Sequence, residues 1–234
     1  MENKIESTHS PIGHDLKDKL TKLSPLLFTI FGVVFLGFVT FKQFMVERPL
    51  THLLIQLGLI ISYVSYMAFE SKISLGEMEK GGGEHDKNTM EMAAVVKISL
   101  LFSCLGLGNT LVSSNNYIFV ALLGLGLTFL GMYTRGRGVK ELGKLYGHRI
   151  RPIGETLYDK GIYSVIRHPA YSGTFWIHLG VTLIFLNIFS LFFIFAWLGI
   201  VILRIKLEEK LLMEDQRYRS YAERTPYRMI PGLW

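Results

Sequence analysis

Five blocks of apolar residues set what this chain can become, because each approaches or exceeds the run of about 20 that a helix needs to cross a bilayer core of about 30 Å. They run from Leu26 to Met45, Leu50 to Phe69, Met92 to Val112, Tyr117 to Tyr133 and Ala170 to Leu207. The Glu47-Arg48-Pro49 turn separates the first two. The last block is too long for one span, and Asn187 divides it into a hairpin of two helices, the first of them short. The expected fold is all-α, a polytopic integral membrane protein with about six transmembrane helices. Gly124, Gly126 and Gly131 in the fourth block predict close approach of a neighbouring helix.

Charge tests that topology. With the N-terminus inside, Lys42 and Arg48 fall outside, Lys97 falls within a span, and the other 22 of the 25 basic residues fall on the inner face, as the positive-inside rule requires. Reading Ala170 to Leu207 as one span would move the basic residues from Arg204 to Arg228 outside, so the hairpin is preferred. Both termini are expected in the cytoplasm. The net charge of +6 is then the inner half of a membrane topology rather than a nucleic-acid footprint. The single cysteine, Cys104, excludes an internal disulfide or a multi-thiolate metal site, and packing is its expected role. No apolar run precedes Leu26, so no cleavable signal peptide is expected and the first span acts as its own anchor.

The chain divides into a cytoplasmic segment, 1–23, four transmembrane helices with their loops, 24–133, and a C-terminal unit, 134–234. The loop from Glu70 to Glu91 holds Gly81-Gly82-Gly83 and reads as a flexible connector. The inner parts of the C-terminal unit are too short for repeated βαβ units of about 30 residues each. Any cofactor must be held by short segments on helix ends, in a cytoplasmic pocket formed by a loop and the C-terminal helix. No metal site is expected.

Four clusters carry polar chemistry. Arg135-Gly136-Arg137-Gly138 has no preceding strand, so it reads as a flexible basic flank rather than a phosphate cradle. In Gly161 to Gly173, Pro169 fixes its own φ and makes His168-Pro169 the start of a helix at the membrane surface. Free N–H groups there suit an anion, and Tyr163 and Tyr171 offer aromatic faces. The plain alternative is an aromatic and basic interfacial belt. Arg204 and Glu208 lie one helical turn apart where the last apolar helix ends, as a local ion pair or as a fork for a carboxylate beside a carboxylate for a cation. The helix continues amphipathically through Leu207, Leu211, Tyr218 and Ala222 to Thr225-Pro226, and the tail to Trp234 is expected along the interface. Within the membrane, Lys97 is expected to snorkel, and His178 is open between packing and function.

Gly161-Ile162-Tyr163, Arg167-His168-Pro169-Ala170-Tyr171-Ser172-Gly173, the hairpin at Asn187, Glu208-Glu209, Tyr218 to Tyr221 and Arg224-Thr225-Pro226 together resemble the isoprenylcysteine carboxyl methyltransferase family. The resemblance covers about Gly143 to Trp234. The N-terminal half is similar only in hydropathy, with Asp86-Lys87-Asn88-Thr89 echoing a family loop. It implies S-adenosylmethionine bound at the cytoplasmic face and methylation of a lipid-borne group. Carried over residue by residue, it implies cofactor contacts at His148, Glu155-Thr156-Leu157-Tyr158, Tyr163, His168-Pro169-Ala170-Tyr171 and Glu208, with Glu209 the neighbouring choice. It puts the catalytic, substrate-facing arginine at Arg204. The family often has histidine where this chain has Glu155, and the region after Glu209 is shorter than in its eukaryotic members.

The expected reaction is transfer of a methyl group to a lipophilic or prenylated acceptor, foremost a carboxylate, which is already ionised at neutral pH. A phospholipid amine, or a small lipophilic thiol or amine, is the alternative acceptor. An amine would need a base such as His178 or Glu209. Membrane sterol reductases share the C-terminal pattern but carry more spans. A small transporter or scaffold would pair its polar groups in mid-membrane, whereas here they gather at one surface.

Overall fold

The computed structural model describes residues 50–78, 87 and 89–234, together with Ile30, Val34, Phe38 and Phe41. Those four positions are helical. The remainder of the expected first span, the N-terminal segment and the triple glycine lie outside the described residues. Among the described residues there are helices and no strands. We number them α1 (Leu50–Met78), α2 (Thr89–Leu107), α3 (Ser114–Leu142), α4 (Pro169–Ile184), α5 (Ile188–Leu212) and α6 (Gln216–Arg224).

Segments Leu50–Ile73, Thr89–Leu107, Ser114–Leu145 and Ile188–Leu212 are each long and apolar enough to cross a membrane. Their outer faces carry large exposed apolar side chains, such as Phe119 at 75% and Phe195 at 68%. Water would not tolerate such a surface, and lipid does. The protein is an integral, multi-pass membrane protein. Helix α4 has only 16 residues, about 24 Å at 1.5 Å per residue, and falls short of a full bilayer core.

Asn187 makes the hairpin between α4 and α5. Its side chain accepts from Ser190 N while Ser190 Oγ accepts from Asn187 N, a reciprocal cap. Its amide also donates to Ser103 O, Gly108 O and Phe185 O, each at 3.0 Å, which pins the turn to the end of α2.

Helix α3 lies against α4 along a glycine seam. A Cβ on Gly131 would sit 2.5 Å from Gly173 O, one on Gly124 2.6 Å from Gly180 O, and one on Gly138 a looser 3.2 Å from Pro169 Cγ. Gly126, expected on this seam, faces open space. Glycines at 124, 131 and 138 repeat every seven residues, the spacing that keeps one face turned to a neighbour.

Three boundaries depart from the sequence expectation. Helix α1 continues past Phe69 to Met78, so Glu70 lies on a helix rather than in a connector. Helix α2 stops at Leu107, where Gly108 turns with φ 67° and Asn109 Oδ1 accepts from the N–H groups of Leu111 and Val112. Helix α3 runs through Arg135-Gly136-Arg137-Gly138 to Leu142, so the expected flexible flank is helical and Arg135 is buried. The last helix is also interrupted: Asp215 caps a separate α6 by accepting from Arg217 N at 2.7 Å. The tail then turns back onto the start of α4, where Arg167 N and His168 N donate to Tyr227 O and Arg228 O at 2.9 and 2.8 Å.

Candidate functional site

A cavity of about 560 Å³ opens where the loop 146–160, the start of α4 and the end of α5 meet, and extends between α1 and α2. The loop is tethered from outside. Arg217 donates to Glu155 O and Gly154 O at 2.6 and 2.9 Å, and Arg224 pairs with Asp159 at 2.9 Å. The short turn Gly161–Ser164 is held by Tyr163 Oη donating to Gly138 O at 3.1 Å and by Tyr221 Oη donating to Tyr163 O at 2.7 Å.

Of the residues singled out from the sequence, His148, Thr156, Leu157, Tyr158, Tyr163, His168, Ala170, Tyr171, Arg204 and Glu208 all line this cavity. Glu155 and Pro169 do not. Glu155 is exposed and contributes only its carbonyl to the Arg217 tether. Pro169 is the first residue of α4 and is buried against Gly138. Both departures have one cause: in an irregular loop or at a helix start, successive side chains point different ways.

The two adjacent glutamates face opposite surroundings. Glu209 is buried and fully committed. Its Oε1 accepts from Arg167 Nε at 2.8 Å and lies 3.1 Å from His168 Nε2, and its Oε2 accepts from Arg228 Nε at 2.7 Å. Arg167 also donates to Thr225 O at 2.6 Å, so this cluster clamps α4, α5 and the tail together. Glu208 lines the cavity, and its Oε2 is buried without a hydrogen-bond partner. Tyr218 Oη, another cavity residue, is also buried without one. Such orphaned polar atoms are rare in folded proteins and point to a missing partner.

Arg204 is almost fully buried. Its Nη1 donates to Thr89 Oγ1 at 2.9 Å, its Nη2 to His148 O at 2.6 Å, and its Nε to Tyr171 Oη at 3.3 Å. The guanidinium is thereby fixed on the cavity wall.

The membrane side of the cavity holds residues that the sequence reading missed. Arg135 forks onto Glu70 of α1, with Nη2 donating to Oε2 at 2.6 Å, and also donates to Ala170 O and Tyr146 Oη, each at 3.0 Å. His148 Nε2 lies 3.9 Å from Glu70 Oε2. Lys97, expected to snorkel, lines the same cavity with Tyr63, Tyr66 and Trp197. No spacing rule joins Glu70 to Arg135, which stand 65 residues apart. The only sequence signal was that each is a charge at the end of an apolar run. His178 is not part of the site. It is fully buried, donates from Nδ1 to Thr174 O at 2.7 Å, meets Tyr63 Oη at 3.2 Å and stacks on Trp197.

The phenols around the cavity stay protonated. Burial pushes Tyr146 up to about 12, with Arg135 opposing and Glu70 reinforcing the shift. Burial also raises Tyr163, Tyr218 and Tyr221. Among the described residues no group of His, Cys, Asp and Glu could hold a metal ion.

The geometry defines a class: a helical membrane protein whose polar-end cavity, with a fixed arginine and an unpartnered carboxylate, runs on between apolar helices. Comparison with known proteins narrows it. Residues 122–214, about two fifths of the chain, match the model of the isoprenylcysteine carboxyl methyltransferase (ICMT) family. The chain is 39% identical over 97 residues to the protein-S-isoprenylcysteine O-methyltransferase of Saccharomyces cerevisiae, covering 40% of this chain and 41% of that protein. It is 31% identical over 109 residues to the Schizosaccharomyces pombe enzyme of the same name, covering 44% and 46%. The aligned stretch thus spans less than half the length of either relative. A solved structure of the eukaryotic intramembrane Ras methyltransferase ICMT aligns over 90% of this chain and 86% of that one, with 17% identity and a TM-score of 0.47.

Proposed function

We propose that the protein is an integral membrane methyltransferase that uses S-adenosylmethionine to methylate the carboxylate of an isoprenylcysteine-like acceptor. The observation that carries this reading is the orphaned Glu208 Oε2 in a cavity that extends from polar loops into the apolar helices. The residues present fit the cofactor. Glu208 supplies a counter-charge for its cationic groups, Tyr218 a phenolic donor, and Tyr158 and Tyr163 an aromatic corner with ring centroids 5.7 Å apart.

When bound, S-adenosylmethionine supplies an electrophilic methyl group, whose bond to sulfur breaks as its bond to the acceptor oxygen forms. The acceptor carboxylate is already ionised, so no general base is required. Arg204, pre-oriented by three protein oxygens, presents a fixed positive charge that draws and aligns that carboxylate at no reorganisation cost. His168 and Tyr171, 5.8 Å apart, wall the pocket. The tethered loop covers it, keeping water from the reacting atoms. The lipid part of the acceptor enters between helices. Both termini and the cavity mouth face the cytoplasm, in line with the basic residues of the loop and the tail. Of the groups that an amine acceptor could use as a base, His178 and Glu209 are committed to protein partners, whereas a carboxylate acceptor needs none.

The test is to reconstitute the purified chain in liposomes with methyl-labelled S-adenosylmethionine and a panel of acceptors: an S-prenylated N-acetylcysteine, a phospholipid amine and a lipophilic thiol. Base-labile label on the prenylcysteine supports the proposal. Label that resists base, or appears only on the amine or thiol, overturns it.

A further inference from the structure

Lys97 stands apart from the other charged residues of the cavity. It lies eight residues into α2, about 12 Å along the helix axis from its start. Among the described residues its ammonium makes no hydrogen bond or ion pair, although it lines the cavity. The carboxylate whose field it shares, Glu70, is taken by the Arg135 fork. Two cations therefore face one carboxylate on the membrane side of the cavity, and His148 adds no negative charge. A cation within a transmembrane helix is costly unless paired, and such residues mark ligand paths. Met67, Ala93, Ala94 and Leu101 line the same cavity, with the neutral side chains of Tyr63, Tyr66 and Trp197, and none of these seven is an anion.

We propose that Lys97 binds the carboxylate of the membrane-borne acceptor, acting from α2 while Arg204 acts from α5. This rests on the carboxyl-methylation reading above. The excess positive charge is neutralised when the acceptor carboxylate arrives, and is restored when methylation turns that carboxylate into a neutral ester. The charge change favours substrate over product at this position and so promotes release of the ester.

The experiment compares wild type, Lys97→Met and Lys97→Arg, reconstituted as the full chain in phosphatidylcholine liposomes. Affinities are measured for N-acetyl-S-farnesylcysteine and for its uncharged carboxamide, together with KM for S-adenosylmethionine. Lys97→Met is expected to weaken carboxylate binding about tenfold to a hundredfold, the range for a hydrogen bond to a charged group. Carboxamide binding and the cofactor KM are expected to hold, and Lys97→Arg to retain most of the affinity. Unchanged carboxylate binding in Lys97→Met, equal losses for both ligands, or a raised cofactor KM each overturns the inference. So does a loss seen only when phosphatidylglycerol is added, because the anion would then be a lipid phosphate. If wild type neither binds nor methylates the prenylcysteine, the functional reading fails and takes this inference with it. A wild type that methylates beside an unaffected Lys97→Met overturns this inference alone.

Discussion

Glu208 and Glu209 are neighbours on one helix with opposite situations. Glu209 is surrounded by Arg167, His168 and Arg228 and holds α4, α5 and the tail as one body. Glu208 keeps a carboxylate oxygen without a hydrogen-bond partner beside a cavity. The carboxylate of Glu209 is spent on the frame, whereas the buried Oε2 of half-buried Glu208 is left open to the proposed ligand. The difference separates the clamp from the proposed cofactor site within a single peptide step.

The largest effect is expected for Glu209→Ala. It leaves buried cations unpaired, and the expected loss is about 3–5 kcal/mol of stability, read as a fall in melting temperature in detergent alongside loss of activity. A Glu209→Ala protein that melts like wild type would refute the clamp. Glu208→Gln is expected to do the reverse, with an unchanged melting temperature and cofactor affinity about tenfold to a hundredfold weaker. Equal destabilisation by the two variants would erase the distinction.

A third variant disturbs the frame away from both glutamates. Gly173→Val pushes a side chain into the α3 backbone at Gly131 and Arg135, and about 1–3 kcal/mol of destabilisation is expected from such overpacking. Gly126→Ala, facing open space, is the control that should melt as wild type does. The smallest effect is expected for Arg217→Ala. The arginine is exposed, so melting should hardly change. Releasing the carbonyls of Gly154 and Glu155 should still loosen the loop and weaken cofactor affinity a few-fold.

Most of the frame and part of the site are legible in the sequence. Asn187 shows as a polar break in an apolar run because a capping residue acts within three positions of itself. The turn at His168-Pro169 shows because proline restricts its own φ and its predecessor. The extended α1, the helical Arg135 and the cavity role of Lys97 do not show, because a charge after an apolar run reads as the end of a span. Only the tertiary pairing of Glu70 with Arg135 makes it cheaper to keep these residues helical and buried. Glu208 and Glu209 are equally indistinct in sequence, and their 100° separation around the helix decides which faces the cavity.

In the proposed site the cavity carboxylate of Glu208 holds S-adenosylmethionine. The most direct test is calorimetric titration of S-adenosylhomocysteine, and of S-adenosylmethionine, into liposome-reconstituted wild type and Glu208→Gln of equal melting temperature. Both ligands are expected to bind wild type saturably, and the variant at least about tenfold more weakly. No binding by a folded wild type, or equal binding by the two proteins, would contradict this assignment.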